Sequence, residues 1–181
     1  MGPISMVLDP LLVHAVAAAM GIILIIGALA KLRDVELFRY AVENYRLLGS
    51  ANSALFAWVF PLVELSAGIL LVVESTRTVG MWLGLATLSV ATGGVVLSLL
   101  RGLTSIECGC GTGGQRISWG LVGRNVVLSL AIVLGGNEGA SRTLGALDYF
   151  SLVGAVLSLL ALYACVNQLL ANQPLLKELQ S

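Results

Sequence analysis

Charge is scarce in this sequence: Asp, Glu, Lys and Arg together make up 11% of its 181 residues. A soluble domain needs far more polar surface to cover its core, so a water-soluble globular fold is excluded. The ten basic and ten acidic residues cancel, and no basic tail or patch exists, which removes nucleic acid as a partner. Cysteine is rare as well. Three residues, Cys108, Cys110 and Cys165, are too few for a disulfide framework. Histidine occurs once, as His14 at the far end of the first apolar run, so no histidine stands near the cysteines to complete a metal site. The four prolines are scattered, which argues against a disordered linker. The first ten residues hold no Lys or Arg and end in Asp9-Pro10, so the first apolar run reads as a retained span rather than a signal peptide.

What is there is hydrophobic. Apolar residues make up 57% of the chain and the mean hydropathy is +0.95, a composition that only lipid tolerates as solvent. The pattern predicts an all-α membrane protein, a four- to five-helix transmembrane bundle forming a single transmembrane domain over residues 1–181. The expected spans are residues 11–30, 54–73, 80–100, 119–134 and 149–170. Each approaches the roughly 20 residues that cross a hydrocarbon core of about 30 Å, the fourth being the shortest. Small residues in the third span (Gly84, Ala86, Gly93, Gly94) favour close helix approach.

Between the first two spans, residues 34–48 alternate differently. Val35, Phe38, Val42, Tyr45 and Leu48 recur at helical spacing, while Glu36, Arg39, Glu43 and Arg46 form a face of alternating sign. With Asp34 as N-cap and Gly49 as stop, this is an amphipathic helix lying in the interface or capping the bundle.

Five spans put the 31–53 connection, the cysteine segment and the C-terminus on one side, here called side B. Side B carries Lys31, Arg33, Arg39, Arg46, Arg101, Arg116 and Lys177, whereas side A carries Arg77 and Arg142. The positive-inside rule makes side B cytoplasmic.

The sharpest chemical feature is Cys108-Gly109-Cys110, in a Gly-rich loop over residues 101–118. Thiols this close can close a small, strained disulfide, the exchange-prone kind, and Gly109 and Gly111 permit the backbone angles that such a ring needs. Arg101, Arg116 and Arg124 are candidates to stabilise a thiolate, which Glu107 opposes. The alternatives are a plain turn or half of a metal site. Cys165 falls in the last span on the side B half; it reads first as a small apolar residue and second as a relay partner for the loop thiols.

Glu64 and Arg124 lie within the second and fourth spans, where charge is costly and points inward to a partner. A Glu64–Arg124 pair joined by Lys31 and Asn125 is expected beneath the cysteine loop, as a functional site or as a register-fixing ion pair. His14 reads as an interfacial residue without a special role.

The stretch Arg101-Gly-Leu-Thr-Ser-Ile-Glu-Cys-Gly-Cys, followed by Ile117-Ser-Trp119 and Val122-Gly-Arg-Asn125, strongly resembles the MauE family of methylamine-utilisation membrane proteins. Lys31-Leu-Arg-Asp34, Phe38, Tyr45-Arg-Leu-Leu48 and Pro61-Leu-Val-Glu64 add to the resemblance, which covers about residues 15–135. Many relatives carry Phe after the second cysteine, where this chain has Gly111-Thr112. The resemblance implies a DoxX-like bundle that matures the disulfide-rich small subunit of a periplasmic quinoprotein amine dehydrogenase. It implies a thioredoxin-like, MauD-like partner and a bacterial inner (cytoplasmic) membrane location. Carried over, Cys108 and Cys110 match the cysteine motif, and Lys31, Glu64, Arg124 and Asn125 match polar positions in or beside the spans.

The expected function is thiol–disulfide exchange at Cys108 and Cys110, with electrons passed to or from a membrane carrier, quinone being the candidate cofactor. That chemistry asks for side B in the periplasm, against the charge count. Two other classes compete: a non-enzymatic membrane scaffold for assembly, and a small transporter using Glu64 beside Pro61, which the absence of an inverted repeat disfavours.

Overall fold

In a computed structural model the chain is described over residues 9–103, 117–137 and 145–178, with side chains to residue 172. The described residues form six α-helices: α1 (Pro10–Arg33), α2 (Val35–Asn44), α3 (Ser50–Val72), α4 (Arg77–Leu100), α5 (Trp119–Gly136) and α6 (Ala146–Glu178). Five of them, all but α2, are long and apolar enough to cross a membrane, in keeping with the all-α membrane class.

Local chemistry fixes the starts of α1 and α2. Pro10 opens α1, where its missing N–H is no loss, and the Asp9 carboxylate accepts from the Leu11 N–H at 2.9 Å. Asp34 ends α1 and caps α2, accepting from the Leu37 N–H at 2.9 Å, as its position before the amphipathic run predicts. On α2, Arg39 bridges Glu36 at 3.3 Å and Glu43 at 3.6 Å. The helix stops at Asn44 instead of reaching Gly49, because Arg46 takes a left-handed backbone (φ 51°) that turns the chain toward α3. A short 3-10 turn, Glu74–Thr76, joins α3 to α4, with the Thr76 hydroxyl donating to the Leu70 carbonyl at 3.0 Å.

The helices α1, α3, α4 and α5 close a ring: α1 packs on α3, α3 on α4, α4 on α5 and α5 back on α1. Helix α6 docks outside, against α1. The core of the ring is built from Val16, Met20, Leu24, Leu71, Leu128 and Ile132 and their neighbours. Trp58, Trp82, Val127, Leu130 and Phe150 are exposed on the outer surface, where lipid is the natural solvent.

Two glycine contacts set the axial offset between α1 and α3. A Cβ on Gly21 would lie 2.8 Å from the Gly68 carbonyl oxygen, and one on Gly68 would lie 2.8 Å from that of Gly21. The same pairing brings Lys31 level with Glu64. Helix α1 therefore ends halfway down α3, and about 18 Å of α3 continues past it at 1.5 Å per residue. Helix α2 fills the lane that α1 vacates. Its Phe38 ring sits 6.4 Å from Phe56 and 6.1 Å from Phe60, which stack on each other at 4.9 Å.

Candidate functional site

The stagger places the C-terminal turn of α1 inside the bundle, and with it a charge. Lys31 Nζ donates to Glu64 Oε2 at 2.8 Å, with both side chains about nine-tenths buried. The ammonium also donates to the Gly27 carbonyl at 3.1 Å and lies 5.9 Å and 6.0 Å from the Phe38 and Phe60 ring centres. Glu64 is thus paired with Lys31, not with Arg124 as the sequence suggested. The correction has a plain cause: hydropathy puts Lys31 at a span end, while the glycine contacts push that end to mid-depth.

Arg124, on α5, makes a separate cluster. Its Nε and Nη2 donate to Asn125 Oδ1 at 3.2 Å and 2.9 Å, and Nη1 donates to Asn167 Oδ1 on α6. Asn125 Nδ2 donates onward to the Thr92 hydroxyl at 3.1 Å, which donates to the Leu88 carbonyl at 2.6 Å. The guanidinium also faces the Tyr163 ring at 6.0 Å. Every hydrogen-bond partner described for Arg124 is neutral.

Both clusters open on one cavity of about 410 Å³ at the side B half of the bundle. Lys31 and Glu64 sit on one wall, Arg124 and Asn125 on another, with Phe56, Phe60 and Tyr163 among the rings between them. Apart from these groups the lining is almost wholly apolar. Since Lys31 and Glu64 cancel, Arg124 leaves the lining with a net positive charge among the described residues. The turn after α2 contributes Tyr45, whose burial pushes its phenol up to about 12.

Lys31, Glu64, Arg124 and Asn125 are therefore brought to one cavity. Cys165 is not: it is exposed on α6 and absent from the cavity lining. Cys108 and Cys110, with Glu107 and Arg116, lie outside the described residues. Arg101 donates to the Arg46 carbonyl at 3.2 Å, tying the end of α4 to the α2–α3 connection.

Sequence reasoning missed Thr92, Tyr163 and Asn167. The last two were legible in principle, because they stand four apart on one face of α6, an aromatic and an amide in a mostly apolar helix. It also missed a contact at the opposite end of the bundle, where Arg77 is 7% exposed and its Nη2 lies 2.8 Å from His14 Nδ1.

Comparison with known proteins gives a consistent result. The sequence profile described as "Methylamine utilisation protein MauE" matches residues 9–136. The methylamine utilization protein MauE of Paracoccus denitrificans is 36% identical over 133 residues, 71% of this chain and 72% of that protein. That of Paracoccus versutus is 35% identical over 158 residues, 84% of each chain, and that of Methylorubrum extorquens 33% over 129 residues, 70% of this chain and 69% of its own. No solved structure matches. The matched region takes in α1 to α5 and so Lys31, Glu64, Thr92, Arg124 and Asn125, while Tyr163 and Asn167 fall beyond it. The chain belongs to the MauE family of methylamine utilisation proteins.

Proposed function

We propose that this protein is a membrane thiol–disulfide oxidoreductase serving the maturation of a periplasmic amine dehydrogenase in methylamine utilisation. The observation that carries the reading is Cys108-Gly109-Cys110, a closely spaced thiol pair in the segment joining two spans of a multi-pass member of the MauE family. The partner is a thioredoxin-like protein of the MauD kind, and the final substrate is the disulfide-rich small subunit of the dehydrogenase. The membrane is the bacterial inner membrane, with the cysteine segment on its periplasmic side.

The exchange is balanced by two steps. A partner thiolate attacks the Cys108–Cys110 disulfide, forms a mixed disulfide and expels one cysteine of the pair as thiolate. A second partner thiolate then displaces the other cysteine, leaving the partner oxidised and Cys108 and Cys110 as a dithiol. Two electrons and two protons must next leave that dithiol to a lipid-soluble acceptor. Arg101, directly after α4, and Arg124, on α5, flank the cysteine segment in sequence and supply positive charge that favours the thiolate form.

The test is a Cys108→Ser, Cys110→Ser double variant in a strain that depends on the methylamine system. Loss of mature dehydrogenase, together with a mixed-disulfide adduct trapped by the Cys110→Ser or Cys108→Ser single variant, supports exchange. Normal maturation in the double variant reduces the protein to a scaffold. Labelling of Cys108 by a membrane-impermeant thiol reagent in intact spheroplasts tests the periplasmic placement, and protection until lysis overturns it.

A further inference from the structure

The cavity has three properties that together select a ligand. Its volume, about 410 Å³, lies within the roughly 300–1,000 Å³ typical of small-molecule sites. Its walls are almost wholly apolar and rich in aromatic rings, with the stacked Phe56–Phe60 pair on α3 and Tyr163 on α6. Among the described residues its charge is unbalanced: the Lys31 ammonium has Glu64 beside it, whereas the Arg124 guanidinium meets amide oxygens. An unbalanced cation in an apolar bundle is costly, and a bound electron-rich oxygen relieves that cost.

We propose that this cavity binds a membrane quinone, with its planar ring among the aromatic side chains and one carbonyl oxygen accepting from Arg124. Among the described residues, Asn125 and Asn167 engage three of the five guanidinium N–H groups, which holds the plane fixed and leaves two for a ligand. A diketone ring on an apolar tail matches such a lining. The Arg124 charge favours the negative charge that develops on a ring oxygen as electrons arrive. Lys31 is held by Glu64 and Gly27 and serves the opposite wall without adding net charge.

The site rests on the proposed function for its role and stands apart from it for its existence. In that role, two electrons and two protons from the Cys108–Cys110 dithiol convert quinone to quinol while the two sulfurs close to a disulfide. A fatty-acid carboxylate would also satisfy Arg124, and the experiment separates the two.

The test uses the full chain in nanodiscs, titrated with decylubiquinone and, separately, with oleate. Saturable decylubiquinone binding at one site per chain is expected. Arg124→Gln weakens it about tenfold or more, the loss of one charge-assisted hydrogen bond. Gly94→Leu guards against misfolding of the first variant. A Cβ at Gly94 meets nothing nearer than 4.0 Å, and the atoms there belong to Leu47 and Tyr45 of the cavity wall, so the leucine grows into the ligand space. It is expected to weaken binding to a similar degree. The Cys108→Ser, Cys110→Ser variant is expected to bind quinone as the wild type does, so failed exchange chemistry and a failed quinone site give different results. Absence of saturable binding, unchanged affinity in both cavity variants, or displacement of decylubiquinone by equimolar oleate overturns the proposal.

Discussion

Lys31 and Glu64 stand 33 positions apart in sequence and 2.8 Å apart in the folded bundle, one at the last turn of α1 and the other at the middle of α3. Removing either partner leaves the other buried and uncompensated, which costs about 3–5 kcal/mol. Glu64→Gln and Lys31→Met are each expected to lower the unfolding temperature sharply in detergent. A Lys31→Met, Glu64→Met double variant, with no buried charge, is expected to recover most of that loss. Thermal unfolding of the four proteins checks the cycle, and additive single effects would mean that the two residues do not act as a pair.

The offset that makes this pair depends on glycine contacts, and so does the fit of α4. A Cβ added to Gly80 would lie 2.3 Å from the Leu71 backbone nitrogen, where no side chain can move aside and the helices must part. Gly80→Ala is expected to destabilise by about 1–3 kcal/mol. Gly93, on the same helix, meets nothing within 4 Å. Gly93→Ala is expected to be neutral or to stabilise by about 0.5–1 kcal/mol, through helix propensity alone. Equal losses at the two positions in a chemical unfolding series would refute the close packing of α3 and α4.

This dependence also explains how far the sequence could be read. The all-α character with five long apolar helices, the Asp34 cap and the Arg39 ion pairs follow from local pattern. The axial offset of neighbouring helices is not a local property. It is set by the Gly21–Gly68 approach, two residues 47 positions apart whose contact no hydropathy profile contains. Hence Glu64, Lys31, Arg124 and Asn125 were legible as one polar set, but Glu64 was given Arg124 as partner instead of Lys31. For Asn167 the sequence shows the face that it shares with Tyr163 on α6, but not that this face meets Arg124 of α5. Likewise Arg77 counts as a loop charge in sequence, whereas it is buried against His14.

Tyr45 gives the bundle a pH dependence on the alkaline side. Burial raises its phenol from 10.0 to about 12, so the folded state favours the neutral form. A group whose folded value is raised contributes stability that is fully present below the unfolded value and lost as pH rises through the folded one. Stability is therefore expected to fall between about pH 10 and pH 12. In a spectrophotometric tyrosine titration Tyr45 is expected to ionise late, and Tyr45→Phe removes that late step. A titration of the variant that keeps the late component would assign it elsewhere.

Asn167 tests whether the charge of Arg124, rather than its shape, matters to the cavity. Its Oδ1 accepts from Arg124 Nη1, which is the only hydrogen bond described for the Asn167 side chain. Asn167→Asp therefore keeps the acceptor, loses no described donor contact and places a carboxylate against the guanidinium. The pair becomes a charge-assisted one, so folding stability is expected to hold or rise. The cavity meanwhile loses its net positive charge, and decylubiquinone affinity is expected to fall about tenfold. Asn167→Leu has the opposite profile: it removes one hydrogen bond, at about 1 kcal/mol of stability, yet leaves the charge on Arg124 and most of the affinity. Parallel unfolding and binding measurements on the two variants separate charge from packing. Full quinone affinity in the Asp variant would show that the guanidinium does not act on the ligand through its charge.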